Sequence, residues 1–163
     1  MDVDHPELDQ HWDAVARSET EAERLDRNWS SLLQELRVTQ TGVQLLTGFL
    51  LTLPFQARFA TLSHGLHVVY LATVVSSLAA TILLVAPVGL HRLLFRRHRL
   101  RTLVSAAHRF AYTGLLLLGA ALTGVAVVVF GTVLGATAGA WAGVLTGVAM
   151  LTAWVAYPVW MRR

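Results

Sequence analysis

Residues 66–90 read LHVVYLATVVSSLAATILLVAPVGL, without one charged side chain. As a helix this run would rise about 37 Å at 1.5 Å per residue, more than the roughly 30 Å of a bilayer's hydrocarbon core. Two further runs repeat the pattern. Residues 109–133 (RFAYTGLLLLGAALTGVAVVVFGTV) and 137–160 (TAGAWAGVLTGVAMLTAWVAYPVW) carry one charge between them, Arg109. A fourth, residues 38–57 (VTQTGVQLLTGFLLTLPFQA), is less apolar but equally uncharged. Twenty residues give about 30 Å, enough to span.

The expected fold is therefore an all-α integral membrane protein with four transmembrane helices, preceded by a cytoplasmic N-terminal amphipathic helix. Composition agrees: 55% of the 163 residues are hydrophobic and 14% are charged, against about 25% charged in a soluble domain. Cysteine is absent, which removes disulfides, thiolate metal sites and a cysteine nucleophile.

Charge is divided along the chain. All ten acidic residues lie between Asp2 and Glu35, whereas ten of the 13 basic residues, all of them arginine, follow Leu36. Six arginines fall in the 91–109 connection (Arg92, Arg96, Arg97, Arg99, Arg101, Arg109), and Arg162 and Arg163 end the chain. The other two connections together hold only Arg58. The positive-inside rule then places both termini and the central loop in the cytoplasm, in the cell's inner membrane. Arginines at helix ends serve lipid headgroups, so nucleic acid is not expected as a partner. The first 30 residues lack the basic and apolar regions of a signal peptide.

Residues 1–17 are expected to form a flexible acidic tail. Residues 18–37 follow as an amphipathic helix, with Ser18 and Glu21 at capping-box spacing. Its apolar stripe, Leu25, Trp29, Leu32 and Leu36, continues through Thr39, Val43, Leu46, Leu50 and Leu53. This helix is thus expected to run directly into the first membrane span. The body, residues 38–163, holds the spans.

Four features bear on function. The first membrane helix carries a polar stripe through Arg37, Thr41, Gln44, Gly48, Thr52 and Gln56, widened by Gln40 and Thr47. Uncharged polar groups at membrane depth need partners. They either line a pathway in an oligomer or hydrogen-bond between helices of one bundle. Glu35 and Arg37 stand at the cytoplasmic mouth of this helix, as an ion-pathway entrance or as an interface anchor. His91-Arg92 and His108-Arg109 flank the central loop, where a hairpin would bring them to one level. They are read as headgroup contacts or as a pH-sensing cluster. Haem ligation is not expected, since no matching pair of histidines lies deeper. Finally, Gly131, Gly135, Gly139, Gly143 and Gly147 recur every four residues. The last three give the fourth span a face for close helix packing, within the chain or between subunits, and Ala120 and Gly124 repeat the relation on the third.

No P-loop, dinucleotide fingerprint, HExxH or GxSxG occurs. The chain is not expected to be an enzyme, and neither a cofactor nor a metal is expected.

The stretch from Leu32 to Gln44 (LLQELRVTQTGVQ), followed by Leu53-Pro54-Phe55-Gln56, resembles an uncharacterised bacterial family of small four-helix membrane proteins. Ala86-Pro87-Val88 before His91-Arg92, and His108-Arg109, are similar to it as well. The resemblance covers roughly residues 30–135. Some members are labelled sodium:proton antiporter, which implies cation transport without naming residues.

From these observations the expected function is a homo-oligomeric channel or transporter-like protein for small ions, with membrane lipids, other copies and small cations as partners. Gln40, Thr41, Gln44, Thr47, Thr52 and Gln56 would line its pathway. The alternative is a non-conducting membrane protein that recruits or regulates a partner through its N-terminal amphipathic helix.

Overall fold

The computed structural model describes residues 20–94 and 100–161. The acidic tail 1–17, Ser18, the loop arginines Arg96, Arg97 and Arg99, and the terminal Arg162 and Arg163 lie outside them. Every regular element among the described residues is helical. They run in the order α1 (Glu21–Thr52), two short 3-10 turns (Leu53–Phe55 and Phe59–Thr61), α2 (His64–Leu94), α3 (Leu100–Leu134) and α4 (Ala136–Leu151). A π-helical turn (Thr152–Ala156) leads into α5 (Tyr157–Met161).

Residues 21–52 form one continuous helix, which ends at Thr52, before the expected end of the first span at residue 57. Its cap lies two residues beyond the expected position. Thr20 is the N-cap, its hydroxyl accepting from the Glu23 backbone while the Glu23 carboxylate accepts from the Thr20 backbone at 2.8 Å. These hydrogen bonds hold the Glu23 carboxyl below its ordinary value. Both Ser18/Glu21 and Thr20/Glu23 have capping-box spacing, so spacing alone could not separate them.

Prolines shape the ends of the helices. Pro54 has no N–H to offer the carbonyl of Leu50. That carbonyl instead accepts from the Leu53 N–H and from the Tyr70 hydroxyl at 2.9 Å. Pro158 likewise leaves the Trp154 carbonyl without its usual donor. The backbone before it widens into the π turn, where the Tyr157 N–H reaches the Thr152 carbonyl. Between α3 and α4 the chain reverses at a single residue, Gly135, whose φ of 95° lies where side chains are strained.

Three helical stretches are long and apolar enough to cross a membrane: His64–Leu90, Ser105–Leu134 and Ala136–Met161. They make the chain a membrane protein. By the same measure α1 falls short, because Gln40, Gln44 and its threonines dilute its apolar part. The last span is only 6% buried within the chain, so its surface belongs to lipid or to another molecule.

The core sits on one line of α1. Trp29, Leu36, Val43 and Leu50 are buried at intervals of seven residues, the seam of a helix packed lengthwise against its neighbours. Trp29 meets Leu90 of α2 and Ala107 of α3. Leu36 and Val43 meet Ala80, Leu84 and Ala111. Leu50 meets Tyr70 and Val128. Helix α1 therefore lies alongside α2 and α3 over their apolar length, and α4 packs chiefly on α3.

Candidate functional site

The polar residues of α1 divide by direction. Gln40 and Thr47 turn inward. The Gln40 side-chain amide donates to the Leu84 carbonyl at 2.6 Å. The Thr47 hydroxyl bonds the Val43 carbonyl at 2.7 Å and shares a 2.6 Å hydrogen bond with Ser77. Thr81 stands 3.5 Å from it. Thr47 and Ser77 are buried, Ser77 completely. This row tethers α1 to α2 in the way interhelical hydrogen bonding predicts.

Thr41, Gln44, Gly48, Thr52 and Gln56 face outward and are exposed. Thr41 and Thr52 spend their hydroxyls on the helix itself, on the carbonyls of Arg37 and Phe49. Gln44 differs, since its amide makes no hydrogen bond among the described residues. Around it Val38, Leu45 and Phe49 are exposed at 76%, 61% and 72%. Gly42 and Gly48 have open space where a Cβ would stand. The polar stripe is thus two faces: one used inside the chain, and one uncovered that carries the unbonded amides of Gln44 and Gln56.

Two substitutions separate these faces. Gln40→Leu is expected to destabilise the protomer by about 1 kcal/mol, the scale of a hydrogen bond between membrane helices. Gln44→Leu is expected to leave protomer stability unchanged. Unfolding in graded detergent mixtures measures both; equal loss in the two variants would refute the division.

Glu35 and Arg37 are both exposed and form no ion pair with each other or with other described residues. Thr39 and Thr41 bond the backbone carbonyls of Glu35 and Arg37. His91 and Arg92 lie in the last turn of α2, with their side chains outside the described set. Because Leu90 packs against Ala107 and Trp29, His91 and His108 sit at one level, as the hairpin argument requires. His108 and Arg109 are exposed and line a cavity of about 250 Å³ with Tyr112, Pro158 and Val159. The first turns of α1, the last of α2, the first of α3 and the residues around Pro158 are thereby gathered at one end of the bundle. Among the described residues no three metal-ligating side chains converge.

The packing glycines make their contacts within the chain. A Cβ on Gly139 would stand 2.8 Å from both the Gly131 Cα and the Val127 carbonyl oxygen. One on Gly143 would strike the Val127 side chain, while one on Gly147 would make an ordinary 3.6 Å contact with Thr123. Gly124 packs against Thr73 of α2 rather than against α4. Ala120 is exposed and does not join that contact.

Sequence reasoning missed the α2 side of the polar row, Thr73, Ser77 and Thr81. Their four-residue spacing within an apolar span was the available signal. It also missed Trp154 and Tyr112, which line cavities beside the α3–α4 contact.

No curated protein matches the chain, and neither does any solved structure. A family profile matches residues 18–158, from the cap region of α1 through the π turn to Pro158. The chain belongs to that family, DUF6328, a family of unknown function.

Proposed function

We propose that the chain crosses the inner membrane four times with both termini cytoplasmic, and that several copies assemble so that the outward face of α1 lines a pathway for small ions. Support for the fourth span comes from packing. Helix α1 runs beside α2 from Leu90 to Tyr70, so wherever α2 lies in the bilayer, α1 lies at the same depth. The arginine-rich sequence between α2 and α3 would orient the end of the bundle where α1 begins toward the cytoplasm.

The observation that carries the pathway is Gln44. An amide in hydrocarbon without a partner is costly. Another copy of α1, or water held between copies, would satisfy it. Four helices around a packed core enclose no route of their own, so a route has to form between subunits. Thr41, Thr52 and Gln56 extend the polar face along the helix, and Glu35 and Arg37 stand at its cytoplasmic mouth. The recruiting alternative is disfavoured by Trp29, Leu32 and Leu36, the stripe a partner would need, which already pack against α2 and α3.

Ion flux into proteoliposomes tests the proposal, with wild type and Gln44→Leu compared at about pH 5.5 and about pH 7.5, on either side of histidine's ordinary pKa. Wild type is expected to conduct. Gln44→Leu is expected to weaken subunit association about tenfold, the upper range for one interhelical hydrogen bond, and to lose flux in step. Absence of flux from folded, oligomeric wild type, or full flux in Gln44→Leu, refutes the pathway.

A further inference from the structure

The contact between α3 and α4 changes character along its length. Near the Gly135 turn the two backbones touch, Gly139 against Gly131. By Gly147 and Thr123 the contact has relaxed to ordinary distances. Beyond that point the contact continues, with a Cβ on Gly119 at 3.8 Å from the Met150 Cβ, and a groove of about 500 Å³ runs beside it. Its floor is Gly119, Ala120 and Gly147, and its walls are Leu116, Met150 and Trp154. The Trp154 ring lies over Gly119, 3.3 Å from where a Cβ would stand. On the far side of that ring begins the cavity of His108, Arg109 and Tyr112. Trp154 lines both spaces, so the two adjoin across its ring as a trough that the indole divides into an apolar part and a cationic part. The π turn at Thr152–Ala156 helps shape it, since it carries Trp154 and Val155 outside the regular helical register.

We infer that this trough seats one anionic phospholipid from the leaflet on the His108 side, with an acyl chain in the groove and the phosphate at Arg109 and His108. Three observations select this occupant. Gly119 lies ten residues above Arg109, about 15 Å along α3, which is the hydrocarbon depth of one leaflet. Arg109 is exposed with no ion pair among the described residues, and no carboxylate occurs anywhere after Glu35 to neutralise it. Its planar guanidinium suits a phosphate, and the Tyr112 hydroxyl lies on the same wall. The exposed Ala120, with Leu116 and Met150 beside it, lines a groove open enough for a thin flexible chain. This inference does not depend on the pathway reading.

The first test is native mass spectrometry of the full chain from mild detergent, with phosphatidylglycerol and phosphatidylcholine added in equal amounts. Retention of phosphatidylglycerol is expected to exceed that of phosphatidylcholine about fivefold, the factor one arginine near a lipid surface contributes. Arg109→Gln should erase the preference. Ala120→Phe, at an exposed position on the groove floor, should lower retention of both lipids while leaving Arg109 in place. Equal retention of the two lipids by wild type overturns the inference. So does a loss confined to Arg109→Gln, which would mean a surface anion contact without a seated chain. Should Ala120→Phe fail to fold, bromine-labelled acyl chains decide in a variant keeping Trp154 as its sole tryptophan. Brominated phosphatidylglycerol is expected to quench Trp154 more than brominated phosphatidylcholine, and equal quenching refutes the seat.

Discussion

Alanine at Gly139 is expected to destabilise the protein by about 1–3 kcal/mol, and leucine there to prevent α4 from docking on α3. The reason is what the new Cβ meets. Its neighbours would be the Gly131 Cα and nitrogen and the Val127 carbonyl oxygen, at 2.8–2.9 Å. These are backbone atoms, which cannot rotate aside. Relief requires the two helices to separate, and the single-residue turn at Gly135 holds them together at that end.

The next two rungs grade the effect. At Gly143 the obstacle is a valine side chain, which in a helix has one strongly preferred rotamer and yields poorly. At Gly147 the new methyl would be in normal contact with Thr123, and alanine's helix propensity favours it over glycine by about 1 kcal/mol. The expected order of cost is therefore Gly139→Ala, then Gly143→Ala, with Gly147→Ala neutral or stabilising. Unfolding midpoints in graded detergent mixtures measure the series. Equal costs at the three positions would show that the ladder packs against something other than α3.

Three of the expected spans were readable from sequence because long uncharged runs have few other uses, and the glycine ladder was readable because its period matches one helix face. Direction around α1 was not. Polar residues at 40, 41, 44 and 47 surround much of the helix, and nothing local distinguishes Gln40 from Gln44. What distinguishes them is the neighbour each finds. Gln40 meets the Leu84 carbonyl of α2, whereas Gln44 meets open space. The Ser77 partner of Thr47 lay thirty residues away in a span that composition marks as plainly apolar. The trough between α3 and α4 was equally hidden, since it arises where the glycine ladder stops matching residues on α3 and where Pro158 forces a π turn. Each of these depends on contacts between helices, which a one-dimensional period does not carry.

The second large effect is expected between Thr73 and Gly124, and it takes the form of a rescue. Thr73 is 2% exposed and gives its hydroxyl to the Val69 carbonyl at 2.7 Å. A Cβ on Gly124 would fall on the Thr73 hydroxyl oxygen, 3.0 Å from its Cβ and 3.2 Å from its methyl. Gly124→Ala alone should therefore destabilise by about 1–3 kcal/mol through overpacking. Thr73→Ala removes the oxygen and the methyl together, at a cost of about 1 kcal/mol for the space left behind. Combined, the two changes exchange volume across the α2–α3 contact, so the double variant is expected to be more stable than Gly124→Ala alone. A coupling of about 0.5–3 kcal/mol in a double-mutant cycle is the signature of such contact. If the two effects simply add, Thr73 and Gly124 do not touch in the membrane, and the α2–α3 register that brings His91 level with His108 would fail with them.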